Sequence, residues 1–313
     1  MPDFDVLVAG ELNPDLILSD PNLEPRFGQQ ETLVEAADLS IGSSSAIFAC
    51  GAARLGLRVA FIGVAGPDHF GRFMLDALRE RGVDVSPVLV DPRLRTGLSV
   101  ILARGSDRAI LTYPGAISAL RSDQVTDHLL RRSRHLHVAS YFLQASLQPG
   151  LPGLFRRAHD LGLSVSLDTN WDPSGRWADV EELLRLTDLF FPNAAEAIAL
   201  ARTSAVDDAL DALARLGPTL AVKLGQDGAI ARRGDETTRA PALPMVVADT
   251  VGAGDSFDAG FVYGWLDRWP LERSLRLAVA CGSLSVRAHG GTAAQPTLEE
   301  ALRFVPGGGH GPH

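Results

Sequence analysis

Short aliphatic, β-branched runs alternate along this chain with longer segments of helical character, and that alternation restricts the fold more than any other feature. The runs at 5–12 (DVLVAGEL), 59–66 (VAFIGVAG), 135–140 (HLHVAS), 163–170 (LSVSLDTN), 189–193 (LFFPN) and 220–225 (LAVKLG) read as core strands. They are nearly continuous in apolar residues, which suits strands covered on both faces. Between them, two segments stop at Gly56 and Gly82 in the manner of helices ended by glycine. Residues 149–162, 194–201 and 271–289 also carry a helical pattern. The combination predicts an α/β fold built on a mostly parallel sheet. A chain of 313 residues is long enough to bury a substantial core.

Two segments interrupt the pattern. Residues 13–40 hold no helical period, and 96–116 (TGLSVILARGSDRAILTYPGA) reads as a hairpin around RGSDR. We expect them to form one small discontinuous β-sheet that covers a strand-end cleft as a lid. The expected organisation is a core of 1–12, 41–95 and 117–305, a lid of 13–40 and 96–116, and a disordered glycine-rich tail at 306–313.

The chain carries 38 acidic and 29 basic residues, a formal charge of −9. That argues against non-specific nucleic-acid binding, which needs a basic surface. No apolar run approaches the length of a membrane span, and the start MPDFDVLVAG has neither the basic segment nor the apolar stretch of a secretory leader. Cys50 and Cys281 lie in apolar helical stretches without ligand spacing, so they read as core residues of a protein in a reducing compartment. A cytoplasmic location is therefore expected. None of the eight histidines shows a metal-binding or catalytic arrangement.

One stretch points to chemistry. In VADTVGAGDSFDAGFVYGWLD (247–267), Gly252, Ala253 and Gly254 precede Asp255, and an apolar stripe at Phe257, Phe261, Val262, Trp265 and Leu266 follows at helical spacing. The glycines open a helix whose first amides point outward and favour an anion. Without side chains at 252 and 254, a phosphoryl group can approach the backbone closely. Asp255 fits a helix cap and equally a proton acceptor for an alcohol attacking that phosphoryl group.

This stretch closely resembles the C-terminal signature of the ribokinase-like (PfkB) carbohydrate kinases, through Asp249, Thr250, the Gly252–Asp255 run, Phe257 and the Gly260–Phe261 pair. The resemblance implies a ribokinase-like three-layer α/β/α domain with a small β-sheet lid. It also implies that Asp255 is the catalytic base and that the amides of Gly252, Ala253 and Gly254 form an anion hole. Other matches follow in family order. AGELNPDLIL would place Asn13 and Asp15 on the sugar hydroxyls, whereas the residues alone read as an Asn-Pro turn. IGSSSAIFACGAARLG resembles the sugar-gripping Gly-Gly-x-x-x-Asn stretch, with Gly42 and Ser43 as contacts. It departs at Ile41, in a glycine position, and at Ile47, in the Asn position, where it would give a more apolar substrate wall. Asp168 and Asn170 follow a core strand, where α/β clefts open, and the family often has Asp-x-Asn there; Asp168 is expected on the substrate.

FPNAAEA resembles the Asn-x-x-Glu motif, in which Asn193 and Glu196 organise Mg2+ and phosphate, often through water. The same spacing is that of a capping box. VKLGQDGAI resembles the turn lining the nucleotide pocket, with Gly225, Gly228 and Thr250 as ATP contacts. Lys223 is either a phosphate contact or a strand lysine snorkelling to solvent. AHGGTAAQPT (288–297), with Asp249 and the carbonyl of Val251, resembles the border of a monovalent-cation (K+) site. Together these features lead us to expect an ATP-dependent kinase acting on a hydroxymethyl group of a small carbohydrate of the ribose, fructose or keto-sugar-acid class. The alternatives are a nucleoside kinase on the same fold and a non-catalytic sugar or nucleotide sensor. A homodimer through the lid, as in many relatives, is also expected, since exposed edge strands need cover.

Overall fold

The computed structural model describes residues 2–105 and 107–305, so the expected tail at 306–313 lies outside the described residues. The central element is a nine-stranded sheet in the order Glu236–Ala240, Ala229–Arg233, Thr219–Lys223, Leu189–Phe190, Ser164–Leu167, Ser133–Val138, Phe4–Ala9, Val59–Ile62, Val83–Asp84. All neighbours pair parallel except along the hairpin edge, where Thr219–Lys223, Ala229–Arg233 and Glu236–Ala240 run antiparallel.

Side chains alternate across each strand, so Phe4–Ala9 serves two cores at once. Val6 and Val8 join one cluster with the helices Ser44–Arg54, Ala253–Leu266 and Leu271–Ser285. Leu7 and Ala9 join the other, with the helices Leu151–Asp160 and Val206–Ala214. Helices thus cover both faces, which gives a three-layer α/β/α fold and accounts for the unbroken apolar runs. Cys50 and Cys281 are free thiols in the first of these cores, and burial pushes the Cys50 thiol up to about 12.

A separate four-stranded sheet is assembled from Ala36–Ile41, Pro14–Ser19, Leu98–Arg104 and Asp107–Tyr113, in that order. Its middle pair is parallel and its outer pairs antiparallel.

Several elements are shorter than the sequence pattern suggests. The run 59–66 breaks at Gly63 into Val59–Ile62 and Val64–Ala65, because the backbone there passes so close to the Gly10 carbonyl that a Cβ would lie 2.6 Å from it. The run 189–193 ends as a strand at Phe190; Pro192 has no N–H for the ladder, and Asn193 already caps the next helix. The last long helix stops at Ser285 rather than at 289.

Candidate functional site

The polar groups converge just beyond the C-terminal ends of the parallel strands. Glu11 and Asn13 follow Phe4–Ala9, Ser140 follows Ser133–Val138, Asp168 and Asn170 follow Ser164–Leu167, and Lys223 ends Thr219–Lys223. The chain crosses from one side of Phe4–Ala9 to the other between Val83–Asp84 and Ser133–Val138. That makes the gap between Phe4–Ala9 and Ser133–Val138 the topological switch point, where open α/β sheets bind ligands. The Ser140 hydroxyl donates to Glu11 Oε1 across this gap at 2.9 Å.

The helix Ala253–Leu266 aims its first turn at the same place. Its cap, Gly252, has φ +72° and provides no side-chain acceptor. The Ala253 N–H bonds to the Thr250 carbonyl at 3.3 Å, whereas among the described residues the Gly254 and Asp255 N–H groups have no acceptor. Of the amides expected to form the anion hole, that of Ala253 is therefore already engaged and that of Gly254 is bare, and the Asp255 amide joins it at the start of the helix.

The two glycines differ in purpose. A Cβ at Gly252 would lie 2.8 Å from Gly291 and from Ile47 Cγ2, so this glycine is demanded by its left-handed backbone and tight packing. A Cβ at Gly254 would meet only the lysine side chain at 223, with Nζ at 3.3 Å. A side chain at 254 would press on Lys223 beside the bare amides, so Gly254→Val is expected to cut turnover at least about tenfold, while the melting temperature falls by only about 3 °C. A collapse of thermal stability with turnover per folded molecule preserved would show that the glycine serves the turn.

Asp255 retains 8% of its surface. Its carboxyl is pushed up to about 8, first by burial and then by Asp168, with Glu11 adding to this and Lys223 and the neighbouring Ser44 hydroxyl opposing it. Asn170 Nδ2 donates to Ser44 Oγ at 2.9 Å, and Asn170 Oδ1 accepts from the Ser140 N–H at 2.9 Å. Asn170 thereby ties one strand end to the start of the helix Ser44–Arg54.

Lys223 does not snorkel. Its ammonium donates to Asp168 Oδ2 at 2.7 Å and to Asp258 Oδ1 at 3.2 Å, and its side chain is 15% exposed. Burial alone would lower its pKa; Asp168 and Asp258 outweigh that and hold the ammonium protonated. Asp168, expected on the substrate, has both oxygens engaged by the protein, since Oδ1 accepts from the Asn170 N–H at 2.9 Å.

Glu11 is not among the residues that the motifs mark, yet it is buried at the centre of the site. Its carboxyl group accepts from Ser43 Oγ at 3.1 Å, Ser45 N at 3.1 Å, Ser45 Oγ at 2.6 Å and Ser140 Oγ at 2.9 Å. The pairing of an acid at a strand end with the serine run 43–45 is the signal that could have found it. Ser43, at φ +68°, caps the helix by accepting from the Ala46 N–H. Gly42 leaves room for the Asp15 carboxyl, which a side chain there would strike. Asp15 is pushed up to about 7, first by burial, with Arg108 opposing and Asp249 and Glu11 reinforcing. Asn13 is buried beside it. Ile41 and Ile47 lie in the apolar core. Ile47 supports Gly252 and Gly291 rather than walling a substrate, which corrects the sequence expectation.

On the other flank, Asn193 and Glu196 form the reciprocal capping box: Asn193 Oδ1 accepts from the Glu196 N–H at 2.9 Å and Glu196 Oε2 from the Asn193 N–H at 2.8 Å. Burial, then Asp168, pushes the Glu196 carboxyl up to about 7. Its Oε1 has no protein donor among the described residues, so an oxygen remains for a cation or its water. Gly225 has φ +62° with open space around it, whereas Gly228 is required by the close pass of Ala240 and Pro241. Asp249 accepts from the Val251 N–H and the Gly290 N–H, each at 3.0 Å, and so joins the turn before the helix to the later glycine loop. His135 and His137 are buried inside the sheet, hydrogen-bonded to Ser164 and Ser166.

The chain is similar to several known proteins. A fructokinase of Klebsiella pneumoniae is 32% identical over 288 residues, covering 84% of this chain and 91% of its own. An Escherichia coli ribokinase-II-type protein solved with ATP and Mg2+ superposes with a TM-score of 0.84 at 24% identity, over 96% of this chain and 99% of its own. An adenosine kinase of Sinorhizobium meliloti superposes with a TM-score of 0.83 at 26% identity, over 96% and 99%. Residues 3–298 match the pfkB family of carbohydrate kinases as a whole. The fold, the strand-end site and these matches agree: the chain belongs to the pfkB family, whose members are carbohydrate kinases.

Proposed function

We propose that this sugar kinase transfers the γ-phosphoryl group of ATP to a hydroxymethyl group of a small sugar, with Asp255 as general base. One observation carries the reading: a carboxyl group poised near neutrality stands in the first turn of a helix beside two unpaired amides, Gly254 and Asp255. Asp255 takes the proton of the attacking hydroxyl, and the two amides receive the charge that grows on the transferring group. Asn193 and Glu196 would hold Mg2+ through water, and the ion would supply charge neutralisation on the phosphates. A monovalent cation at Asp249 and the Val251 carbonyl would share carboxylate oxygens that already take two amides.

The small sheet is read as a lid. Residues that alternate along its strands share a face, and Asp15, Ser99, Thr112 and Ser40 lie on the side of the cleft. The other side presents Leu39, Leu111 and Tyr113 to solvent. A second copy covers that side by two-fold pairing. Light scattering is expected to give twice 33.3 kDa, and Leu111→Lys the single mass; a monomeric wild type removes this part of the proposal.

The test of the function is ADP release across sugars, sugar acids and nucleosides, with and without K+. Nucleosides belong in it because of the similarity to adenosine kinase. Turnover of a sugar supports the reading, turnover of nucleosides alone replaces it with the second, and ligand binding without ADP formation overturns both.

A further inference from the structure

Behind the proposed base lies a buried group that the mechanism above does not use. Oxygen atoms of Asp168, Asp255 and Asp258 lie within 4.8 Å of one another. Into them projects the Lys223 ammonium, 2.7 Å from Asp168 and 3.2 and 3.4 Å from the two oxygens of Asp258. The Asp168 and Asp258 side chains are 3% and 1% exposed. Lys223 ends one strand, Asp168 follows another, and Asp258 sits one turn along the helix from Asp255, so the ammonium joins three elements. It also lies directly beneath Gly254.

We propose that Lys223, clamped by Asp168 and Asp258, is a positioning residue that seats the first turn of the helix Ala253–Leu266 and so aims Asp255 and the two bare amides. Three carboxyl groups this close repel unless a cation stands among them or protons neutralise them. Burial pushes the Asp258 carboxyl well above the usual carboxylate range, despite Lys223, and beside the short Lys223–Asp168 pair it is the acid that would keep its proton. Burial would also raise Asp168, but Lys223, together with hydrogen bonds from Asp258 and the Asn170 N–H, brings its carboxyl below the ordinary value. The working triad is then one ammonium, one carboxylate and one carboxylic acid, electrically neutral as a unit. Its neutrality is what lets Asp255 lose a proton beside it. On this proposal Lys223 is engaged by the two acids, which replaces both sequence alternatives, a phosphate contact and a lysine snorkelling to solvent.

The proposal rests on the phosphoryl-transfer reading, and its test separates the two. Lys223→Met is expected to lower kcat by about 100-fold with KM for ATP nearly unchanged, as misplacement of reacting groups does. Lys223→Met combined with Asp168→Asn removes the pair together, and is expected to recover about tenfold of that loss and to melt higher than Lys223→Met alone. Asp258→Asn, an isostere of the protonated acid, is expected to keep kcat within about threefold. A lysine that instead contacts phosphate predicts a raised KM for ATP and no recovery in the double variant, which overturns the proposal. So does a fall in kcat beyond tenfold in Asp258→Asn. Should Lys223→Met fail to fold, a folded double variant supports the proposal and an unfolded one overturns it. If wild-type protein phosphorylates nothing in the substrate panel, the melting-temperature comparison still decides the clamp, while the function falls separately.

Discussion

Asp255→Asn is expected to lower turnover by at least about 100-fold, the usual contribution of a general base, while the protein folds and binds ATP as before. The amide fills the same volume and cannot accept the proton. Because the folded-state carboxyl is pushed up to about 8, wild-type kcat/KM should rise with pH through that value, tenfold per unit on the acid side. Stability runs the other way. A carboxyl whose folded pKa is raised contributes most below its unfolded value of 3.8 and loses that contribution as pH climbs to about 8. Asparagine carries no such penalty, so the variant should melt at the wild-type temperature or higher near pH 8. A residue that merely capped the helix would show the reverse, a lower melting temperature with turnover kept. Near wild-type turnover on a good substrate removes Asp255 from the mechanism.

Glu11→Ala is expected to have the largest effect on the fold. Glu11 is 2% exposed and accepts from three serine hydroxyls and one amide across the switch point. Removing it strands the Ser45 hydroxyl and N–H in the interior, while Ser43 keeps the Glu11 carbonyl and Ser140 keeps Asn170 Oδ1 at 3.3 Å, at a cost of about 3 kcal/mol. In a domain of this size that lowers the melting temperature by roughly 10 °C. Glu11→Gln keeps the shape and one good acceptor and should fall between. A loss of less than about 2 °C in Glu11→Ala would mean that water serves the serines equally well.

Much of this protein could be read from local pattern. The unbroken apolar runs of Val6–Ala9 and Leu220–Val222 announced strands covered on both faces, and two cores do cover them. The Gly252–Asp255 stretch pointed to a helix start with bare amides, since glycine placement and an early acid are local matters. Asn193 and Glu196 offered both a capping box and a cation site; the box is present, and the cation reading survives only through the remaining Glu196 oxygen.

What sequence could not supply was company. Lys223, Asp168 and Asp258 are spread over 168–258, and nothing in their neighbours foretells that one ammonium will be shared between two acids. Glu11 meets serines 32, 34 and 129 residues away. Ile47 looked like a substrate wall until Gly252 and Gly291 were seen to close on it. Periodicity and turn chemistry act over a few residues, so the chain alone determined its layers, its helix start and its candidate base. Charge balance and close packing act through space between distant segments, so only the folded structure decided which acids are pushed up, which cation is already engaged, and which of Gly252 and Gly254 is demanded by close packing.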